Sequence, residues 1–323
     1  MDFEPKRHLL LYSGTSHPEL ADEVAKHLGS TLGEVDIEHF ADGEVYTRFL
    51  SSVRGMDVFI IQTHSAPVND HIIETLIMLD ALKRASARRV TTVLPYFPYS
   101  RQDKKHLARE PISAKLMADL LNAAGADRVM SIDLHAGQIQ GFFDVPFDHL
   151  TALPLLVEAI RNEVGSHPVI VAPDAGEVKD AEKFRRKLGP EAGLAIAHKR
   201  REPTVHDEVR ALGIVGEVKG KVCVLVDDSI STGGTLVAAA ETLIAHGATG
   251  VLAAATHAVL SGNATQRLQD SPLSKVIVTN SLPIPPEKGF PKLQVVSVGT
   301  IIADAIRAVF EDQSVSGIFG GDN

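Results

Sequence analysis

The stretch Val222-Cys223-Val224-Leu225-Val226-Asp227-Asp228-Ser229-Ile230-Ser231-Thr232-Gly233-Gly234-Thr235-Leu236 constrains the fold more than any other part of the chain. Its apolar run from Val222 to Val226 reads as a strand buried on both faces, as in a parallel sheet. That strand reading stops at two adjacent carboxylates. A short loop of hydroxyls and glycines follows, and Leu236 to Ile244 then reads as a helix. In an open parallel α/β sheet, ligands bind beyond the carboxyl ends of the strands, so the loop is expected to border a binding crevice.

The residue types in the loop narrow the ligand. Thr232 to Thr235 set backbone N–H groups and two hydroxyls at a helix N-terminus, where the dipole favours an anion. Gly233 and Gly234 permit close approach of the main chain and a positive φ where one is needed. Asp227 and Asp228 would repel a phosphate that they faced. They suit hydrogen bonds from sugar hydroxyls, or a metal ion. Phosphate at one end and polyol at the other describes a ribose 5-phosphate group. The alternative is a tight strand-to-helix turn with a capping threonine and two solvated acids.

Composition excludes several classes. A chain of 323 residues is long for one core and points to two domains. No stretch has the apolar length of a membrane span, and the start Met1-Asp2-Phe3-Glu4-Pro5-Lys6-Arg7 lacks a signal-peptide pattern, so a cytoplasmic protein is expected. Cys223 is the single cysteine and falls inside the apolar strand, which fits a reducing compartment and a packing role. A net charge of −9 and the absence of Trp argue against nucleic-acid binding, leaving local basic clusters to serve small anions.

Strand-like and helix-like runs alternate throughout, the α/β pattern. Val58 to Gln62, a loop, a helix across Ile72 to Ala85 and a strand from Val90 repeat the order seen from Val222 to Val251. The earlier loop, Thr63-His64-Ser65-Ala66-Pro67-Val68-Asn69-Asp70, has neither the acid pair nor the glycine pair. One half therefore reads as a phosphate-site domain and the other as its relative without that site. The boundary is expected near Leu150 to Pro154, dividing the chain into residues 1–150 and 151–323, with the tail a candidate to pack back on the first domain. The polar insertion Tyr96 to Pro111 leaves a strand, carries Arg101, Lys104, Lys105 and Arg109, and rejoins a helix at Ile112. It suits a polyphosphate, with Arg101 as a planar fork and Gln102 as a base or phosphate reader, or else is a solvated charged loop.

Together with the Asp-Asp and Thr-Gly-Gly-Thr segment, Tyr96 to Pro111 resembles the ribose-phosphate pyrophosphokinase (PRPP synthetase) family. Phe40-Ala41-Asp42-Gly43-Glu44, Ala81 to Ala87, Asp133-Leu134-His135-Ala136 and Gln138 to Phe143 are similar to further motifs of that family, in the family's order. The resemblance runs from Gly14 to Phe319. It implies two tandem phosphoribosyltransferase-type α/β domains, each a mainly parallel sheet flanked by helices, assembled as a homo-oligomer, usually a hexamer. It also implies transfer of the β,γ-diphosphate of ATP to the C1 hydroxyl of ribose 5-phosphate, with Mg²⁺ as cofactor, giving PRPP and AMP for nucleotide biosynthesis.

Residue roles follow from the same resemblance. Phe40, Asp42 and Glu44 match the adenine-reading segment, which serves ATP sites formed with a neighbouring subunit; without the resemblance, Asp42-Gly43 reads as a hairpin turn. Arg101 and Gln102 match the ATP-binding loop. His135 and Asp174 match metal-site residues, although imidazole is an unusual partner for Mg²⁺, so phosphate, carboxylate and water oxygens are expected to dominate. Lys199 and Arg201 match the catalytic cations on a flap, Arg201 also meeting the sugar phosphate; in extended chain the two would share a face. Asp227, Asp228, Ser231, Thr232, Gly233, Gly234 and Thr235 match the ribose 5-phosphate site. Ser52, Arg54, Ser314 and Ser316 match parts of a regulatory site for inorganic phosphate or ADP.

Two positions depart from the pattern. Ser231 stands where many members have Asp, and Glu177 stands where many have Gly after Pro173-Asp174-Ala175-Gly176. Neither removes a phosphate donor or a catalytic cation. Three competing readings are weaker. A phosphoribosyltransferase needs only one such domain and has no use for the Arg101 loop or the Lys199 flap. A regulatory synthetase-associated subunit should have lost cations in the flap. A PRPP-sensing repressor calls for a basic helix-turn-helix.

Overall fold

The computed structural model describes residues 8–199 and 212–319, which form two α/β units. Unit 1 comprises residues 1–151, 281–283 and 298–323, and unit 2 comprises residues 152–280 and 284–297. The chain thus leaves unit 1 at Thr151 and returns to it for its last helix.

In unit 1 five strands lie side by side in the order β1 (Leu9–Ser13), β4 (Asp57–Ile61), β5 (Arg89–Leu94), β6 (Arg128–Ile132) and β7 (Phe147–Leu150). Every pairing is parallel. Their apolar runs are continuous rather than alternating because helices cover the sheet, as β4 illustrates: all its residues are buried. The crossover helices are α1 (Pro18–Leu28), α2 (Val68–Arg84) and α3 (Ser113–Ala124). Proline near the start of α1 and Gly29 just after it mark that helix's ends. Outside the sheet, β2 (Val35–His39) and β3 (Val45–Phe49) pair as an antiparallel hairpin.

Unit 2 repeats the plan. Its strands β8 (Val169–Ala172), β11 (Val222–Ile230), β12 (Gly250–Ala258), β13 (Lys275–Thr279) and β14 (Leu293–Val296) follow one another along the sheet in parallel, as their counterparts do in unit 1. Here β9 (Gly193–Lys199) and β10 (Leu212–Val215), which occupy the hairpin's place in the chain, extend the sheet beyond β8, with β10 antiparallel. Helices α4 (Leu153–Arg161), α5 (Val178–Leu188), α6 (Gly234–Ala245) and α7 (Ala264–Asp270) complete it.

The last helix, α8 (Gly299–Phe310), belongs to unit 1, where it packs on α1. Gly299 permits this approach: a Cβ there would sit 2.7 Å from the Glu23 carboxyl. The far end of α8 is tied by polar contacts. Arg307 Nη2 donates to His27 O at 3.0 Å, and Arg89 Nη2 donates to Val309 O at 3.3 Å. Arg89 and Arg88 also meet the buried carboxylate of Asp57 at the start of β4.

The sequence reading of β11 needs correction. It stopped the strand at Val226, yet the ladder continues to Ile230, pairing Asp227 with Ala255, Ser229 with His257 and Ile230 with Ala258. The long neighbour β12 supplies backbone partners past the apolar run, and backbone hydrogen bonding outweighs the low strand propensity of Asp. The acid pair is therefore held within the sheet rather than on the loop.

Cys223, in the interior of β11, is fully buried, and burial pushes its thiol up to about 11. Native protein should react with a disulfide reagent at pH 8 at least about a hundredfold more slowly than protein in denaturant, since the reactive thiolate is both scarce and screened. Equal rates in the two states would contradict the placement of Cys223 in the core.

Candidate functional site

The loop between β11 and α6 has the geometry of an anion cradle. Gly233 caps α6 with φ +73°, a conformation that a side chain resists. A Cβ at Gly233 would also press on Leu268 at 3.2 Å. From Gly234 onward the first backbone N–H groups of α6 have no preceding helical turn to bond, and they converge at the positive end of the helix dipole. Ser231 Oγ lies 2.9 Å from Ser261 Oγ, so the position that departs from Asp is hydrogen-bonded to its neighbouring loop.

Just before this cradle, Asp227 and Asp228 lie side by side in β11. Burial, then the charge of Asp228 and a hydrogen bond with it, then the charge of Glu177, hold the Asp227 carboxyl far above the ordinary carboxylate range. The pair thus holds a proton at neutral pH, so it can both donate to and accept from adjacent hydroxyls. Glu177 stands at the start of α5, and its effect on Asp227 gives the second sequence departure an electrostatic meaning. Asp174, in the same connection between β8 and α5, is exposed and accepts a hydrogen bond from Gly176 N at 2.7 Å.

Unit 1 closes the corresponding crevice with its own side chains. Glu74 of α2, only 1% exposed, accepts hydrogen bonds from Thr15 N (2.7 Å), Thr15 Oγ1 (2.5 Å) and Gln62 Nε2 (2.8 Å). Gln62 Oε1 in turn accepts from Ser16 N at 3.1 Å and from Ser16 Oγ. Beside it, burial pushes His64 down to about 3, so its imidazole is neutral.

The other candidate residues of unit 1 lie on three exposed segments. The connection between β5 and α3 is irregular from residue 95 to 112 and is pinned by alternate buried side chains. Phe97 is buried edge-on against Phe143 and Phe147, and Asp103 accepts from Gln138 Nε2 at 2.8 Å. Between and beyond these anchors, Arg101, Lys104 and Lys105 are exposed. Gln102 Oε1 accepts from Ser113 Oγ at 2.6 Å at the start of α3. The Asp103–Gln138 bond links this loop to the segment carrying His135, which is itself exposed. That segment leaves β6 through Asp133 at φ +36°, and Leu134 N donates to His149 Nε2 at 2.9 Å. Phe40, Asp42 and Glu44 are exposed at the tip of the β2–β3 hairpin, where Asp42 Oδ1 accepts from Glu44 N at 3.2 Å. The hairpin reading of Asp42-Gly43 thus agrees with the structure, with Gly43 at φ +92°.

Backbone of Lys199 ends β9; its side chain, and Arg201 altogether, lie outside the described residues. Ser52, Arg54, Ser314 and Ser316 are exposed in unit 1, and Arg54 Nη1 donates to Ser86 Oγ at 3.2 Å. Among the described residues no three His, Cys, Asp or Glu side chains converge as a metal cage, and no helix is long and apolar enough to cross a membrane. The sequence reading missed Arg267, His149 and Glu74. Each acts through a hydrogen bond to a residue far along the chain, and no local motif signals such a bond.

Known families match both halves of the chain. Residues 9–125 match the family described as the N-terminal domain of ribose phosphate pyrophosphokinase, and residues 169–320 match the phosphoribosyl synthetase-associated domain. The chain is 51% identical over 315 residues to a ribose-phosphate pyrophosphokinase of Streptomyces coelicolor, covering 97% of each protein. It is also 51% identical over 318 residues to one of Mycobacterium tuberculosis, covering 98% of this chain and 97% of the relative. The crystal structure of phosphoribosylpyrophosphate synthetase from Mycobacterium smegmatis superposes with a TM-score of 0.89 at 50% identity, covering 95% of this chain and all of that one.

The raised Asp227 carboxyl has a measurable consequence for the ligand-free protein. Its folded state keeps a proton that the unfolded chain releases above the ordinary carboxylate range, so stability falls as pH rises through that interval. Asp227→Asn removes the ionisation while keeping the shape. Its melting temperature should exceed that of wild type at about pH 8, with the gap closing toward about pH 5. Parallel melting curves across that range would exclude the assigned protonation.

Proposed function

The chain belongs to the ribose-phosphate pyrophosphokinase family, and from that premise we propose how its residues carry out diphosphoryl transfer from ATP to ribose 5-phosphate. The fold is two phosphoribosyltransferase-type α/β units. The observation that carries the reading is the β11–α6 segment: an in-sheet acid pair followed by a glycine-capped helix start. Phosphate on the N–H groups of residues 233–235 and ribose hydroxyls on Asp227 and Asp228 describe the acceptor. Arg101 and Gln102, held by the Phe97 and Asp103 anchors, are assigned to the nucleotide, as are Phe40, Asp42 and Glu44 on the hairpin.

In the reaction the C1 hydroxyl oxygen of ribose 5-phosphate attacks the β-phosphorus of ATP. The new C1–O–Pβ linkage forms as the bond from Pβ to the α,β-bridging oxygen breaks, AMP leaves, and the hydroxyl proton is lost to water. Charge develops on the equatorial oxygens at Pβ, and the cations Lys199 and Arg201 are assigned to stabilise it. The exposed Asp174 carboxylate is a hard oxygen donor of the type Mg²⁺ accepts, and His135 is its assigned companion. A Mg²⁺ ion held there with ATP would supply charge neutralisation at the phosphate oxygens.

Assembly and regulation belong to the same proposal. Ile112, just before α3, and Leu116 and Leu120 within it recur every four residues and are 36%, 53% and 36% exposed, apolar surface that favours a homo-oligomer. Ser52, Arg54, Ser314 and Ser316 are assigned to phosphate or ADP control, and the protein to the cytoplasm.

Ribose 5-phosphate, ATP and Mg²⁺ together should release AMP, and omission of the sugar or addition of a chelator should abolish it. No sugar-dependent AMP from folded protein would overturn the reading. Lys199→Ala should lower kcat by about a hundredfold or more while ribose 5-phosphate binding persists; a kcat within a few-fold of wild type would remove Lys199 from catalysis. Light scattering on the eluting protein should give a mass several times that of the chain, and a monomer would refute the assembly.

A further inference from the structure

Resting on the reading of the β11–α6 loop as the sugar-phosphate site, we propose that Arg267 is a positioning residue that sets the enzyme's affinity for ribose 5-phosphate. Arg267 lies on α7, thirty-five residues beyond the loop, and its Nη1 donates to Thr232 O at 2.6 Å. The same nitrogen is 3.7 Å from where a Cβ on Gly234 would lie, so the guanidinium lies against the start of α6.

The effect follows from peptide planarity. The Thr232 carbonyl shares one plane with the Gly233 N–H, and in a trans peptide the two point in opposite directions. Drawing the carbonyl onto Arg267 therefore aims the Gly233 N–H away from α7 and fixes the peptide against rotation. Gly233 and Gly234, which follow that carbonyl, would otherwise leave the loop free to turn. The cation also polarises the peptide, which strengthens its N–H as an anion donor.

Neighbouring contacts show that the segment from Leu260 to Leu268 holds the whole loop. Leu260 N donates to Ile230 O at 2.9 Å, and Ser261 N donates to Ser231 O at 3.0 Å. Leu268 abuts Gly233. Of these supports, Arg267 alone brings charge to the peptide next to the αL glycine. Its role is positional, since the Nη1 that approaches the loop is engaged by the carbonyl.

Full-length Arg267→Met and Arg267→Lys are compared with wild type by AMP release, titrating each substrate in turn. Arg267→Met should raise KM for ribose 5-phosphate about tenfold or more, leaving KM for ATP within about twofold and kcat within about threefold. Arg267→Lys retains one donor and should recover part of the loss, and it serves as the test variant if the methionine form does not fold. An unchanged KM for ribose 5-phosphate overturns the proposal, as does a parallel loss toward both substrates with a lowered melting temperature. Should wild type itself release no sugar-dependent AMP, the functional reading fails. Calorimetric titration with ribose 5-phosphate then still decides: weaker binding to Arg267→Met upholds the role of Arg267, and equal binding refutes it.

Discussion

Everything at the proposed acceptor site depends on the hydrogen-bonded ladder between β11 and β12 running on after the apolar side chains end. The backbone holds Asp227 and Asp228 in extended geometry, next to each other and partly withdrawn from water. Two adjacent carboxylates on a solvated loop would ionise and turn outward. Here burial, a hydrogen bond between the two carboxyls and Glu177 nearby make the less costly state the one that keeps a proton on Asp227. The ladder also decides where the chain turns, so that the tight bend at Gly233 comes immediately before α6. Position of the acids, their protonation and the aim of the helix start thus share one cause.

The two units show opposite uses of one architecture. In unit 2 Asp227 lies against Asp228 and near Glu177, which keeps a proton on it, while Asp228 Oδ1 accepts from Ser229 Oγ at 2.7 Å. In unit 1 the buried carboxylate of Glu74 is matched by three donors from Thr15 and Gln62. A buried acid with its hydrogen bonds satisfied is stable, and it has no reason to exchange those partners for a ligand. At this place in the first half the polar groups are thus paired internally. Its remaining chemistry lies on exposed segments carried by buried anchors.

Much of this was legible because parallel strands announce themselves as continuous apolar runs; β4, β5, β8, β12 and β13 coincide with runs visible in the sequence. The αL requirement at Gly233 was likewise readable from a glycine pair before a helix. What escaped was set by distant pairing. The strand β11 outlasts its apolar residues because β12 is long. The strands β7 (Phe-Asp-His-Leu) and β14 (Leu-Gln-Val-Val) break their apolar residues with polar ones, so neither shows the continuous run that reveals β8, and β9 and β10 join the sheet where the matching β2 and β3 stand apart. Arg267 looked like any surface cation of a short helix; only the fold brings it to Thr232. The roles of Lys199 and Arg201 rest on family resemblance, since a run of basic residues such as Lys199-Arg200-Arg201 has no intrinsic signal for catalysis.

Return of α8 to unit 1 has a consequence for how the protein is made. Translation delivers β1 to β7 first, yet their unit lacks the helix that lies on α1 and bonds Arg89 until the final segment leaves the ribosome. Unit 2, from residue 152 to 297, is complete in sequence before unit 1 is. The usual order, in which an N-terminal domain can finish folding while the next is still being synthesised, is not open to unit 1, whose α8 follows unit 2 in sequence. Until release, the apolar side of α1 awaits its partner, and a nascent chain stalled before Gly299 leaves the first half the more vulnerable to aggregation and proteolysis.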